Sequence, residues 1–394
     1  SAQDVDLTGG LLTVTNTLLV AEQSGAVSAL KLNGSTVVAP NIVRASGQAN
    51  VVFNGSVFRP SADAQTLQGL TTAKVGTGGA LLDLSLVNTY TLAQTLTTDG
   101  ADGGLTKTGA GRLTISGKQL YAGPTVISAG SLRLPVAGGL SNVTALTVSP
   151  GASLLLDTAN VQTVALSGLT LGAAAATPVP VELSFALGGT SNDTFAVNGA
   201  VVLGNVALTL LQAGTRDAFA LNGTYTLMTY TGTAPDTAGL SVTNPLPGKL
   251  YTFSAASGYV TLKIEADFTG STGAVVWKAT GGGAWETAGN WSAAPGAGGT
   301  GQQVRFDSSI TAPAAVTVSG GDVTLGTVYF NNTNAYTLSG SSTVTFDNGT
   351  SQAVINAESG MHAIATPMTL ANGGLTANPA SGAGITLGVA VSGT

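Results

Sequence analysis

Leu146-Thr147-Val148-Ser149-Pro150-Gly151-Ala152-Ser153-Leu154-Leu155-Leu156-Asp157 decides how the rest of the chain is read. A short strand alternates apolar and hydroxyl side chains, Pro150-Gly151 turns the chain, and a second apolar strand follows at once. Period-two alternation places Leu146 and Val148 on one face and Thr147 on the other. The same grammar recurs upstream at Ser131-Leu132-Arg133-Leu134. It recurs downstream at Val164 to Leu171 and at Phe195 to Leu203. Farther out it returns at Leu11 to Thr15, Val51 to Phe53, Leu113 to Ile115 and Val260 to Ile264. No single unit has enough apolar area to fold alone, so neighbours must stack and bury it between them.

That series predicts an all-β chain, a β-solenoid with mostly parallel pairing between successive rungs. A rung of roughly 20–25 residues gives about sixteen to twenty rungs over this length. Asn33-Gly34, Asn54-Gly55, Asn198-Gly199, Asn222-Gly223 and Asn348-Gly349 fit either hairpin turns or rung corners. Ala62 to Lys74 is the best helix candidate. Gly69 interrupts it, and a loop or one short turn is expected there.

Composition narrows the class. Of 394 residues 8% are charged, 43% are hydrophobic and 55 are Gly, with a net charge of −6. Disorder calls for low hydrophobicity and high net charge, the opposite balance. The thirteen Lys and Arg form no basic run, so no nucleic-acid groove is expected. Cys is absent, which excludes thiol chemistry, Cys-ligated metal and disulfide staples. No apolar run reaches the ~18 residues of a transmembrane helix.

Few residues of this chain could carry chemistry. A Ser–His–Asp triad needs a base, and the chain has one His, His362, which reads as a rung-surface or family-pattern residue rather than a catalytic one. Asp4 with Asp6 and Asp99 with Asp102 are the nearest carboxylate pairs, and glycosidase chemistry would need such acids to converge. Exposed acids that keep a sheet edge soluble are the simpler reading. Gly188-Gly189-Thr190-Ser191-Asn192-Asp193 is close to a calcium-binding turn but lacks a tandem copy. Gly296-Ala297-Gly298-Gly299-Thr300-Gly301 matches a dinucleotide fingerprint in letters only, since no helix follows it. No catalytic residue, metal ligand or cofactor is therefore assigned. Trp277, Trp285 and Trp291 cluster in Gly- and Ala-rich sequence. They are assigned as a partner or seam contact, with burial at a seam favoured over a sugar-stacking platform.

The organisation expected is a solenoid section over 1–135, its continuation over 136–265, a Trp/Gly-rich seam over 266–303 and a second β section over 304–394. Ala173 to Pro178 reads as a loop excursion.

Gly103-Gly104-Leu105-Thr106-Lys107-Thr108-Gly109-Ala110-Gly111-Arg112-Leu113-Thr114-Ile115-Ser116-Gly117 runs on through Tyr121-Ala122-Gly123-Pro124-Thr125-Val126-Ile127 to Gly130-Ser131-Leu132. This stretch closely resembles the autotransporter-associated β-strand repeat of bacterial autotransporter passengers. Arg112 stands where Thr is common, and Lys118-Gln119-Leu120 precedes Tyr121 where Asn is usual. Both positions are expected to tolerate change. The resemblance implies a right-handed parallel β-helix, exported and held at the bacterial cell surface or in the extracellular matrix. No C-terminal membrane barrel is read, so the chain is expected to be part of a longer polypeptide or a processed product. The function expected is structural or adhesive, as a building block of a fibre or surface layer. The partners expected are other copies, head to tail or lateral, and surface glycans or proteins of host or neighbouring cells. A glycan-binding or glycan-cleaving β-helix is the alternative.

Overall fold

In the computed structural model the chain is a series of short strands stacked coil on coil. The structure describes every residue except 1, 136–138, 141–144, 157–160, 173–178, 190, 247–248, 267–273, 294–297, 372, 381, 390 and 394. The excursion at 173–178 lies outside the described residues, as do parts of the expected seam (267–273 and 294–297). The chain forms two compact units. One comprises Ser1–Phe219, Tyr225–Asn244 and Phe253–Leu262. The other comprises Ala220–Thr224, Pro245–Thr252 and Lys263–Thr394.

In the first unit one sheet has nine strands, running from Leu11–Thr13 through Leu105–Thr108 and Thr125–Ile127 to Val201–Leu203. A second sheet has eight, from Gln65–Leu67 to Leu240–Val242. In each, neighbours pair in parallel with the strand one coil away. This is a β-solenoid. Parallel register stacks like on like: Leu113, Leu132, Leu154, Leu183 and Leu208 form one buried ladder. Each such leucine contributes roughly 1.5–3 kcal/mol of burial. The intervening Thr and Ser face outward on a pleated, half-buried surface that suits hydroxyl and β-branched side chains.

The second unit stacks the same way in two five-stranded sheets and one four-stranded sheet. Gln303–Phe306, Thr327–Asn331 and Ala353–Ser359 are consecutive strands of the first of these. Helix is confined, among the described residues, to the 3-10 turn Ala288–Asn290.

The sheets contain fewer coils than a uniform rung of roughly 20–25 residues would give. Leu105 pairs with Thr125, an offset of 20 residues, but Leu169 pairs with Val201, an offset of 32, and Val206 with Leu240, an offset of 34. The strands keep their register while the loops between them lengthen. Ala62 to Lys74 also departs from expectation. It supplies the strand Gln65–Leu67 and most of Thr72–Val75, because each finds a ladder partner one coil away.

The Asn-Gly pairs at 33–34 and 54–55 are corners. Gly34 and Gly55 have φ of 64° and 74°, and their Asn side chains stack: Asn54 Nδ2 donates to Asn33 Oδ1 at 3.0 Å, and Asn33 Nδ2 donates to Asp6 Oδ1 at 2.5 Å. Asn54 Oδ1 then accepts from the Gly78 N–H at 2.8 Å. One polar row thus ties four coils together along the corner.

Candidate functional site

The segment with the most specific sequence, residues 105–134, folds into four strands: Leu105–Thr108, Arg112–Ile115, Thr125–Ile127 and Ser131–Leu134. Alternation from Leu105 sends Lys107 inward. Its ladder neighbours are Leu82 on one side and Ile127 on the other, in a row that continues through Val148 and Leu171. A charged side chain fully buried in an aliphatic row must find partners. Lys107 Nζ donates to the carbonyls of Thr108, Gly109 and Ala129 at 3.2, 2.6 and 2.7 Å. Two of these acceptors lie on its own turn and the third on the next coil, so the ammonium clamps successive corners. Burial pushes Lys107 down to about 8, and the Asp83 carboxylate opposes that shift. Asp83 itself pairs with Arg59 at 2.7 Å.

The glycines of this segment set how closely the coils approach. Gly104 has φ of 76°, and a Cβ there would run into the Pro124 carbonyl of the next coil. Gly109, at φ of 74°, lies against the Ser85 backbone nitrogen of the preceding coil in the same way. Asp102 closes the corner, accepting from the N–H groups of Gly104, Ala122 and Gly123 at 3.0, 2.7 and 2.5 Å. Inside the coil, the hydroxyls of Tyr121 and Thr125 lie 2.5 Å apart. Burial, the main cause, pushes the Tyr121 phenol up.

Of the two departures from the repeat pattern, Arg112 is exposed. Gln119 is fully buried, against the expectation of a tolerant site. Its Oε1 accepts from the Leu96 N–H at 3.1 Å, and its Nε2 donates to the carbonyls of Gly117 and Gln94 at 2.7 and 3.2 Å.

Residues 105–134 match the passenger-associated-transport-repeat. Over 214 residues, 53% of this chain, the sequence is 27% identical to the adhesin BmaC autotransporter of Brucella suis biovar 1 (strain 1330). The chain thus carries a passenger repeat and is similar to an autotransporter adhesin. The chain spans about 5% of the length of that curated relative. Within the passenger repeat, Lys107 and the glycines contact neighbouring coils, while Tyr121 and Thr125 meet inside their own coil.

Acids elsewhere in the chain follow Asp102. Asp63 accepts from the N–H groups of Asn88 and Thr89, both at 2.8 Å. The Thr89 bond and the Asn88 side chain hold its carboxyl below the usual range. Glu286 accepts from Ser319 and Gly320 at 2.8 and 2.5 Å, and Asp322 from Thr343 at 2.7 Å. In each case a carboxylate satisfies backbone donors of the next coil. Asp99 pairs with Lys74 at 3.0 Å, and Asp4 with Lys31 at 3.8 Å. Asp6 is engaged by Thr8 and Asn33. The candidate pairs Asp4/Asp6 and Asp99/Asp102 are thus drawn to separate partners.

His362 is buried, not at the rung surface. Its Nδ1 accepts from the Tyr336 N–H at 3.1 Å, its Nε2 faces the Ser359 carbonyl at 2.7 Å, and the ring stacks on Phe330 with centroids 4.5 Å apart. Those bonds fix the Nε2–H tautomer, and burial pushes the imidazole down. Asp193, from the Gly188 to Asp193 turn, is also buried, and accepts from the N–H groups of Gln162 and Ala186 at 2.8 and 2.7 Å. Thr190 of that turn lies outside the described residues, as do residues 296 and 297 of the Gly-rich loop. That loop leads into the strand Gln303–Phe306.

Trp277, Trp285 and Trp291 are 0%, 0% and 2% exposed. They pack edge to face, with Trp291 centroids 5.0 Å from Trp277 and 4.6 Å from Trp285, and Trp291 Nε1 donates to the Trp285 carbonyl at 2.8 Å. Phe306 and Phe330 extend this aromatic core of the second unit. Among the described residues no group of three or more His, Asp and Glu could hold a metal ion. Lys107 was legible as buried from its parity with Leu105, a signal that sequence reasoning passed over. The acid-to-backbone bonds leave no such trace, because any residue but proline supplies the N–H.

Proposed function

We propose that this chain is a structural and adhesive segment of a secreted bacterial surface protein. It is a β-solenoid scaffold that displays its outer strands to a neighbouring surface and does so without catalytic turnover. The observation that carries this reading is the passenger repeat, whose polar side chains hold one coil to the next. Similarity to a curated adhesin supports the adhesive part. Outward positions such as Thr106, Val126, Thr147 and Thr170 line up across coils. They offer a low-charge, hydroxyl-bearing face suited to sugars or to another protein. The unpaired backbone edge of a parallel coil is also a template for a further coil, so end-to-end self-association belongs to the same reading.

The test is display of this chain on a non-adherent bacterium, followed by counting the cells retained on epithelial monolayers. Retention should rise several-fold and fall when the soluble chain competes. Unchanged retention would overturn the adhesive role. Release of new reducing ends from a surface polysaccharide, lost on changing one Asp, would overturn the non-catalytic one. Light scattering across a concentration series reads the self-association.

A further inference from the structure

The second unit holds another buried lysine in a different chemical setting. Lys249 is 7% exposed and Asn222 is 2% exposed. Lys249 Nζ lies 2.5 Å from Asn222 Oδ1 and also donates to the Ala220 carbonyl. Glu358, part-buried in the same unit, is the acid whose charge acts on this ammonium. An amine and a carboxamide thus meet where little water enters, and a part-buried carboxyl group of the same unit acts on the amine through its charge.

We propose that Lys249 and Asn222 become joined by an intramolecular amide bond, with Glu358 moving the proton. Glu358 takes a proton from the ammonium, and the freed Nζ lone pair attacks Cγ of Asn222. The C–N bond to Nδ2 then breaks as the Glu358 acid returns a proton to the leaving nitrogen. The second proton on Nζ passes through Glu358 to the departing nitrogen, so ammonium leaves, the neutral Nζ–Cγ amide remains, Glu358 ends as the carboxylate it began as, and neither oxidant nor cofactor is needed. Burial favours the first step by pushing Lys249 down to about 8, while Glu358 opposes that shift. Lys107 supplies the internal contrast. It is just as buried, but its partners are backbone carbonyls, which offer no leaving amine. The bond would close a loop between residues 27 apart. In a chain without cysteine it would constrain the unfolded state as a disulfide does.

Trypsin and mass spectrometry on the full chain test the proposal. Cleavage at Lys249 should fail, giving one peptide from Asp217 to Lys263 lighter by about 17 Da, the mass of lost ammonia. The Asn222-Gly223 pair can also lose ammonia alone by closing on its own backbone. That product still permits cleavage at Lys249, is opened by mild alkali, and persists in Lys249→Arg. The proposed amide survives alkali and disappears in Lys249→Arg and in Asn222→Ala, while an unaltered strand signal in circular dichroism shows that the coils remain. A peptide ending at Lys249 with unchanged mass would overturn the proposal, as would a mass loss that persists in Lys249→Arg. Cross-linking undiminished in Glu358→Gln would overturn the role of the acid.

Discussion

The passenger repeat at 105–134 and the aromatic coil that begins at Val275 solve one problem in opposite ways. In the repeat the coils are narrow, with Leu105 and Thr125 offset by 20 residues. Glycines bring backbones together, and a single lysine clamps successive turns. In the second unit Val275 pairs with Val304, an offset of 29 residues, and the wider coil is filled by three tryptophans against Phe306. Where the coil is tight, hydrogen bonds to the backbone do the holding. Where it is wide, side-chain volume does. A parallel solenoid can therefore change its cross-section without changing its pairing rule, because ladder and filling are separate terms.

The largest expected effect lies on the wide side. Trp291→Ala removes the ring that touches Trp277, Trp285 and Phe306, and should cost about 3–5 kcal/mol in chemical denaturation. Nearest-neighbour stacking should confine the damage, so hydrogen exchange should quicken in 303–306 and 327–331 while 105–134 stays protected. Uniform loosening of both units would break the comparison.

On the narrow side, Lys107→Met keeps the length of the side chain but leaves the Gly109 and Ala129 carbonyls without the ammonium. A loss of about 1–3 kcal/mol is expected, read from the denaturation midpoint. A gain in stability would mean that apolar filling serves there too, and the contrast would fail.

The smallest effect is conditional on pH. Burial holds His362 below its ordinary value of 6.5, so the folded chain stays unprotonated where the unfolded chain takes a proton. Stability is thus present in full above pH 6.5 and declines as pH falls toward the depressed value. His362→Phe keeps a ring against Phe330 and should flatten the dependence between neutral pH and about pH 5.5. An unchanged slope would assign the acid sensitivity elsewhere.

The parallel β-solenoid was legible because Leu-Thr-Val alternation and Gly corners recur far more often than any one domain needs. Coil width was not, since nothing in the strands around Val206 and Leu240 announces an offset of 34 residues. His362 was misplaced because one polar residue in a strand-like run has no parity marker. Its neighbours Met361, which is exposed, and Ile364, which is buried, fix the alternation only once the register is known. The tryptophans were recognisable as a cluster by spacing. Lys249 with Asn222 was invisible, because 27 residues separate them and nothing in either stretch marks the register that brings them together.

The carboxylates that reach forward, from Asp63 to Thr89, from Asp102 to Gly123 and from Glu286 to Gly320, use a joint that takes a backbone donor, and at Gly123 and Gly320 only the absence of a Cβ lets the acid come so close. Only proline lacks the required donor. A coil copied or imported by recombination would therefore be gripped by the acid of the coil before it wherever it brings a free backbone N–H, with glycine at the closest approaches.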